Sequence, residues 1–246
     1  MSRCALLFAA LLGAGLAAPA LAETYVSPVA RAALLELYTS EGCSSCPPAD
    51  RWLSSLLDDP RLWQQLVPVA FHVDYWDSLG WPDRFAATGY AARQHAHVAA
   101  GVLPLAYTPG VVLDGREWRG WRAARVPLPD AASAAGVLRL ERRGERVDAR
   151  FVPAVAAPAL ELNLVRLGFG LESAVGAGEN AGRRLRHDFV VLGWTRVALQ
   201  ADGEDWRATL ALPGTAQAAA RQALAAWVAA PGDPRPRQAV GGWLVP

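Results

Sequence analysis

Two cysteines, Cys43 and Cys46, stand three residues apart in the stretch TSEGCSSCPPAD, residues 39–50. A C-x-x-C unit suits thiol–disulfide exchange, ligation of a soft or borderline metal such as copper(I) or zinc, or a plain cross-link. The cross-link is the weakest of the three. A disulfide stabilises by restricting the unfolded chain, more so for longer loops, and a ring of four residues restricts a 246-residue chain very little. Exchange is the leading reading, with a copper or zinc carrier and a non-catalytic interaction module behind it.

At the ordinary thiol pKa of ~8.5 only about 3% of a cysteine is thiolate at pH 7. Pro47, Pro48 and the helical spacing of Ala49, Trp52, Leu53, Leu56 and Leu57 put Cys43 at the start of a helix. Unpaired N–H groups and the helix dipole favour the thiolate there. Cys43 is therefore expected to be the exposed nucleophile and Cys46, one turn further in, the resolving thiol.

Other residues stand where they could assist. Glu36 is a carboxylate in an apolar strand; buried, it would have a raised pKa and could take the proton of Cys46. In FHVDYWD, alternation puts His72, Asp74 and Trp76 on one face, at a strand end where sites gather. There they could tune the thiols or, with His72, complete a Cys-Cys-His metal set. The competing reading is a histidine bonded in the core and an aspartate capping the next turn. His95 and His97 are two apart on a helix and cannot converge on one metal. GENAG, residues 178–182, lacks the lysine and spacing of a phosphate loop and reads as an ordinary turn. No hydrolase elbow or H-E-x-x-H helix is present, and neither a resident metal nor a cofactor is expected.

The third cysteine, Cys4, lies in MSRCALLFAALLGAGLAAPALAE, where an apolar stretch precedes an A-x-A site. That is the pattern of a secretory signal peptide cut after Ala22, with an apolar run too short to span a bilayer. The protein is expected to be periplasmic or secreted, with no membrane insertion once the signal is removed. Its 24 basic residues, all Arg, balance 23 acidic ones, which excludes an electrostatic footprint for nucleic acid. RLERRGERVDAR interleaves both signs and reads as a solvated strand face. The expected partners are protein thiols or disulfides, including a redox partner protein.

Residues 32–38 and 66–74 read as buried strands flanking the helix that begins at the cysteines. Residues 83–101 read as a second helix, and Asp114-Gly115 as the tight turn of a hairpin. That order is the order of a thioredoxin-like fold, in which a cis-proline just before the hairpin's first strand faces the dithiol. Pro109, after Thr108, stands at that place, so a cis Thr108–Pro109 bond is expected. Beyond about residue 137, short alternating strands with turn signals imply a sandwich-like domain. The expected fold class is an α/β thioredoxin-like N-terminal domain, residues 29–136, then a small all-β C-terminal domain, residues 137–246. A segment around PLPD, residues 127–130, and a short Ala-rich helix form the expected junction.

With LELYTSEGCSSCPPADRWL, FHVDYWDSLGWPDRF, Arg93-Gln94, YTP before a strand and GENAGRRLRHDFVV in view, the chain resembles the secreted thioredoxin-like proteins of domain-of-unknown-function family 1223. The likeness runs from about residue 32 onward. It implies a thiol-based site and no defined substrate. Gly110 departs from the family's usual Gln after the proline, and His97 from its usual aromatic residue.

Overall fold

In the computed structural model, which describes residues 22–122, 125–128 and 134–245, the chain is dominated by strands. The expected signal peptide, up to residue 21, and residues 129–133 of the expected junction lie outside the described residues. The first half comprises β1 (Glu23–Val26), β2 (Ala33–Thr39), α1 (Pro47–Ser55), β3 (Leu66–His72), α2 (Thr88–Ala99), β4 (Gly110–Leu113) and β5 (Arg116–Glu117). Then follow β6 (Gly136–Arg143), β7 (Arg146–Pro153), β8 (Glu161–Phe169), β9 (Leu171–Ala174) and β10 (Arg184–His187). The chain continues through β11 (Val190–Ala198), β12 (Gln200–Asp202), β13 (Asp205–Ala211), β14 (Arg221–Ala229) and β15 (Gln238–Trp243). Among the described residues no helix is long and apolar enough to cross a membrane.

One sheet of eight strands runs β15-β14-β8-β11-β3-β2-β4-β5, and a second of five runs β1-β6-β7-β13-β12. β2 and β3 are parallel, joined through α1, and β11 meets the other edge of β3 at Val190 and Ala70. The remaining pairs of the large sheet are antiparallel. β8 and β14 are buried on both faces. Leu162, Leu164, Leu224, Ala226 and Val228 pack against the five-stranded sheet, while Val165, Leu167, Ala223, Ala225 and Trp227 join the core under α1 and α2.

This overturns the expected fold class of an α/β thioredoxin-like domain followed by a small all-β one. The chain is mostly β, with two α-helices among the described residues against fifteen strands. The β2-α1-β3 unit is real, but it sits in the middle of a sheet that continues on one side through β4 and β5 and on the other through four strands from beyond residue 160. The physical reason is burial: the free edge of β3 and the apolar face around Phe71 are covered by β11 and by Trp194 and Trp227.

Candidate functional site

β2 delivers the chain to the cysteines. Its odd residues face α1, as Thr39 shows by donating its hydroxyl to Asp50 Oδ1 at 2.8 Å. The next residues turn sharply: the Cys43 amide donates to Ser40 O at 3.2 Å, and the Cys46 amide to Cys43 O at 3.2 Å. α1 then starts with Cys46 at its N-cap and prolines in the first turn, where absent N–H groups cost nothing. Cys43 and Cys46 are joined in a disulfide. Gly42 lets Trp76 pack closely on the loop, since a Cβ there would sit 3.0 Å from Trp76 Cβ.

The cysteine loop and α1 contribute Glu41 and Asp50 to a buried cluster of two histidines and three carboxylates, with His72, His187 and Asp83. His72 Nδ1 and Asp83 Oδ2 lie 2.6 Å apart, and the same Asp83 oxygen accepts the Glu41 amide at 2.9 Å. The Trp81 indole donates to Glu41 Oε2 at 2.8 Å. His187 sits between two carboxylates, with Nε2 3.2 Å from Glu41 Oε1 and Nδ1 3.7 Å from Asp50 Oδ2. These are ion-pair distances without hydrogen-bond alignment, so both ring nitrogens lack a hydrogen-bond partner in a residue only 2% exposed. The rings of His72 and His187 meet edge to face at 4.9 Å.

The charges in this cluster follow from its contacts. Burial pushes His72 down, but the Asp83 carboxylate bonded to it outweighs burial and holds its pKa above the usual value. Asp83 is correspondingly lowered, burial being outweighed by His72. Burial also pushes Glu41 up, and the His187 contact with bonds from Ser173 and Trp81 brings it below the usual range. Asp50 is the exception. Burial raises it, and His187, His72 and Thr39 offset that only in part.

The β9–β10 hairpin covers the disulfide. Asn180 Nδ2 donates to Glu41 O at 2.8 Å and Cys43 O at 2.9 Å, its own carbonyl held by Arg183 at 2.6 Å. Glu179 Oε2 accepts the Ser44 amide at 2.9 Å. Cys43 is consequently 1% exposed, which corrects the expectation of an exposed nucleophile, and Cys46 is 0% exposed.

The other expected residues divide. Trp76 donates its indole N–H to Thr108 Oγ1 at 2.8 Å and packs on Gly42, so it ties the cysteine loop to Thr108. The Thr108–Pro109 bond is cis, and both residues line a groove of about 450 Å³ with Tyr107, Trp118 and Trp121. Gly110 follows because a Cβ would meet Tyr107 O at 2.8 Å. His72 belongs to the buried cluster through Asp83. Asp74 does not; it accepts the Thr88 hydroxyl at 2.8 Å, at the start of α2. Glu36 faces the opposite side of β2, toward α2, where Arg93 donates to it twice, at 2.6 and 2.9 Å. Burial pushes its carboxyl up, yet Arg93 and His97 outweigh that and hold it down to about 2. Among the described residues no group of three or more His, Cys, Asp or Glu is arranged to hold a metal ion.

Sequence reasoning passed over Glu41, Asp50, Asp83, Asn180 and His187. The available signal was the pairing of two distinctive stretches, TSEGCSSCPPAD and GENAGRRLRHDFVV, which supply four of these five and meet here.

The profile of the family described as protein of unknown function, DUF1223, matches residues 34–229. No curated protein matches the sequence. Among solved structures, the fold is similar to that of protein AGR_C_4864 from Agrobacterium tumefaciens, with a TM-score of 0.57 at 20% identity, covering 88% of this chain and 95% of that one. It is also similar to HBP35 of Porphyromonas gingivalis, with a TM-score of 0.60 at 14% identity, covering 89% of this chain and 76% of that one.

Proposed function

The chain belongs to the DUF1223 family, and for this member we propose thiol–disulfide exchange with protein partners, carried by the Cys43–Cys46 couple in the periplasm or outside the cell. The observation that carries the reading is a four-residue disulfide ring at a helix start, in the same loop and first helical turn that supply Glu41 and Asp50 to a buried acid–histidine cluster. A cross-link that short contributes little to stability. Burying five titratable groups there is costly unless they are paired, and active sites are where burial and charge partners are arranged to perturb such groups. The short leader with its A-x-A site supports export.

In this reading a partner thiolate attacks Cys43 and Cys46 leaves; in the reverse direction Cys46 closes on the mixed disulfide and the partner departs as a thiolate. Because both sulfurs lie under the hairpin, exchange requires residues 175–183 to lift. The test is trapping. A Cys46→Ala variant accumulates mixed disulfides that dissolve in dithiothreitol, while Cys43→Ala traps far fewer. Equal trapping by both, or a wild-type disulfide that fails to equilibrate with a glutathione buffer, defeats the proposal.

A further inference from the structure

The function proposed above leaves a proton without a destination. When Cys46 attacks the mixed disulfide on Cys43, its S–H must ionise, and Cys46 is the more deeply buried of the two cysteines, 0% exposed under the closed hairpin, which points to a neighbouring side chain as the acceptor. Glu36 does not collect it either, since it faces α2 on the far side of β2 and is tied to Arg93.

Asp50 is on the correct side. Cys46 has helical dihedrals, φ −77° and ψ −38°, and its carbonyl accepts the Asp50 amide at 3.1 Å. Residues four apart in a helix lie on one face, and helical side chains lean toward the N-terminus, so the Asp50 carboxyl leans toward the turn that carries Cys46. Its Oδ1 is held by Thr39, and its Oδ2 faces His187 Nδ1 at 3.7 Å. His187 is thus buried between the Glu41 and Asp50 carboxylates with neither ring nitrogen hydrogen-bonded.

We propose that Asp50 is the proton acceptor for Cys46 and that His187, supplied by the covering hairpin, is the positioning residue that sets its readiness. The step balances. Cys46–SH gives its proton to the Asp50 carboxylate, its sulfur bonds to Cys43, the partner–Cys43 bond breaks, and the partner leaves with the electron pair as a thiolate. In the opposite direction Asp50 returns the proton to the departing Cys46. Thr39, Glu41, His72 and Asp83 face the pair from the surrounding elements, and burial raises the Asp50 carboxyl where its neighbours Glu41 and Asp83 are lowered.

Closure of a glutathione mixed disulfide on Cys43, followed by stopped flow across pH, tests this. Asp50→Asn keeps an oxygen that can accept the Thr39 hydroxyl. Closure is expected to fall by about 10²-fold near neutral pH and to recover as pH rises and Cys46 ionises unaided. His187→Gln is expected to move the pH midpoint with a smaller loss of rate. A role in packing alone would lower the melting temperature and leave the midpoint where it is. An unchanged profile in Asp50→Asn overturns the proposal while the exchange reading stands; a wild-type protein that forms no glutathione adduct removes both. Should Asp50→Asn not fold, the Asp50 carboxyl titration followed by NMR in oxidised and reduced wild-type protein decides. Proton transfer between Cys46 and Asp50 requires the two titrations to differ, and identical curves overturn it.

Discussion

Glu36 and Asp50 are both carboxylates buried in the core, and their surroundings drive them apart. Burial raises both, but Glu36 receives two guanidinium bonds and lies beside His97, whereas Asp50 has one hydroxyl and a histidine at 3.7 Å. Glu36 ends as a structural anion, its partner Arg93 stacked 4.7 Å over Trp227. Breaking such a pair strands a buried charge, so Glu36→Gln is expected to cost about 3–5 kcal/mol in urea denaturation while leaving disulfide exchange with glutathione intact. The pH dependence has a definite sign. With its carboxyl held down to about 2, Glu36 contributes stability that is fully present above its ordinary value near 4.5 and is lost as pH falls toward 2. The variant and wild type should therefore converge in stability between pH 4.5 and 2; parallel curves would refute this.

At the scale of elements, the β4–β5 turn offers the opposite case. Asp114 and Gly115 take φ of 50° and 71°, the left-handed pair that a tight hairpin needs, and a Cβ on Gly115 would also strike Arg235 at 2.4 Å. Burial raises the Asp114 carboxyl to about 6 despite its bond from the Leu34 amide. A raised carboxyl supports the fold below its ordinary value near 4 and loses that support as pH rises through 6. Asp114→Asn keeps the acceptor and tolerates the backbone, so it is expected to raise stability above pH 6, by about 1–3 kcal/mol, with no gain at pH 4. The hairpin over the disulfide makes a third prediction. Asn180→Ala removes two of the bonds that latch it and should speed reduction of the disulfide by a phosphine several-fold, measured by thiol release; an unchanged rate would mean that residues 175–183 do not limit access.

These elements differ in how openly the sequence announces them. The Asp-Gly turn, the β2-α1-β3 unit and the cis-proline position are local, written in dipeptides and periodicity, and each is found where expected. The charged hairpin β6–β7 is equally plain, with Arg139 and Arg143 paired to Glu141 and Arg146 to Asp148. β14 is not. Buried on both faces, RQALAAWVA shows no alternation, and its alanines favour helix when read alone. α2 begins at Thr88, five residues later than its composition suggests, because Asp83 is taken by His72 and the Glu41 amide. The acid–histidine cluster was hidden for a different reason. Its members come from the ends of separate elements, and His187 stands 141 residues past Cys46 in a stretch whose own spacing carries no chemical signature.

On the scale of the molecule, the cysteine unit depends on strands that follow it by more than a hundred residues. β11 closes the edge of β3, the β9–β10 hairpin supplies both the cover and His187, and Trp194 and Trp227 pack on Phe71 at 5.9 and 6.4 Å. Losing a fully buried tryptophan typically costs about 3–5 kcal/mol, and a domain's whole margin is about 5–15 kcal/mol. Removing the fully buried Trp227, the partly buried Trp194 and the edge pairing of β3 together therefore takes most of that margin. A fragment of residues 23–136 is expected to lack a cooperative thermal transition by circular dichroism and to aggregate through the uncovered β3 edge. Adding residues 137–245 as a separate chain should restore a cooperative transition to the extent that the two pieces associate. A monomeric fragment with a sharp melt would show that the cysteine unit folds on its own, and that the long-range strands serve access and proton transfer rather than stability.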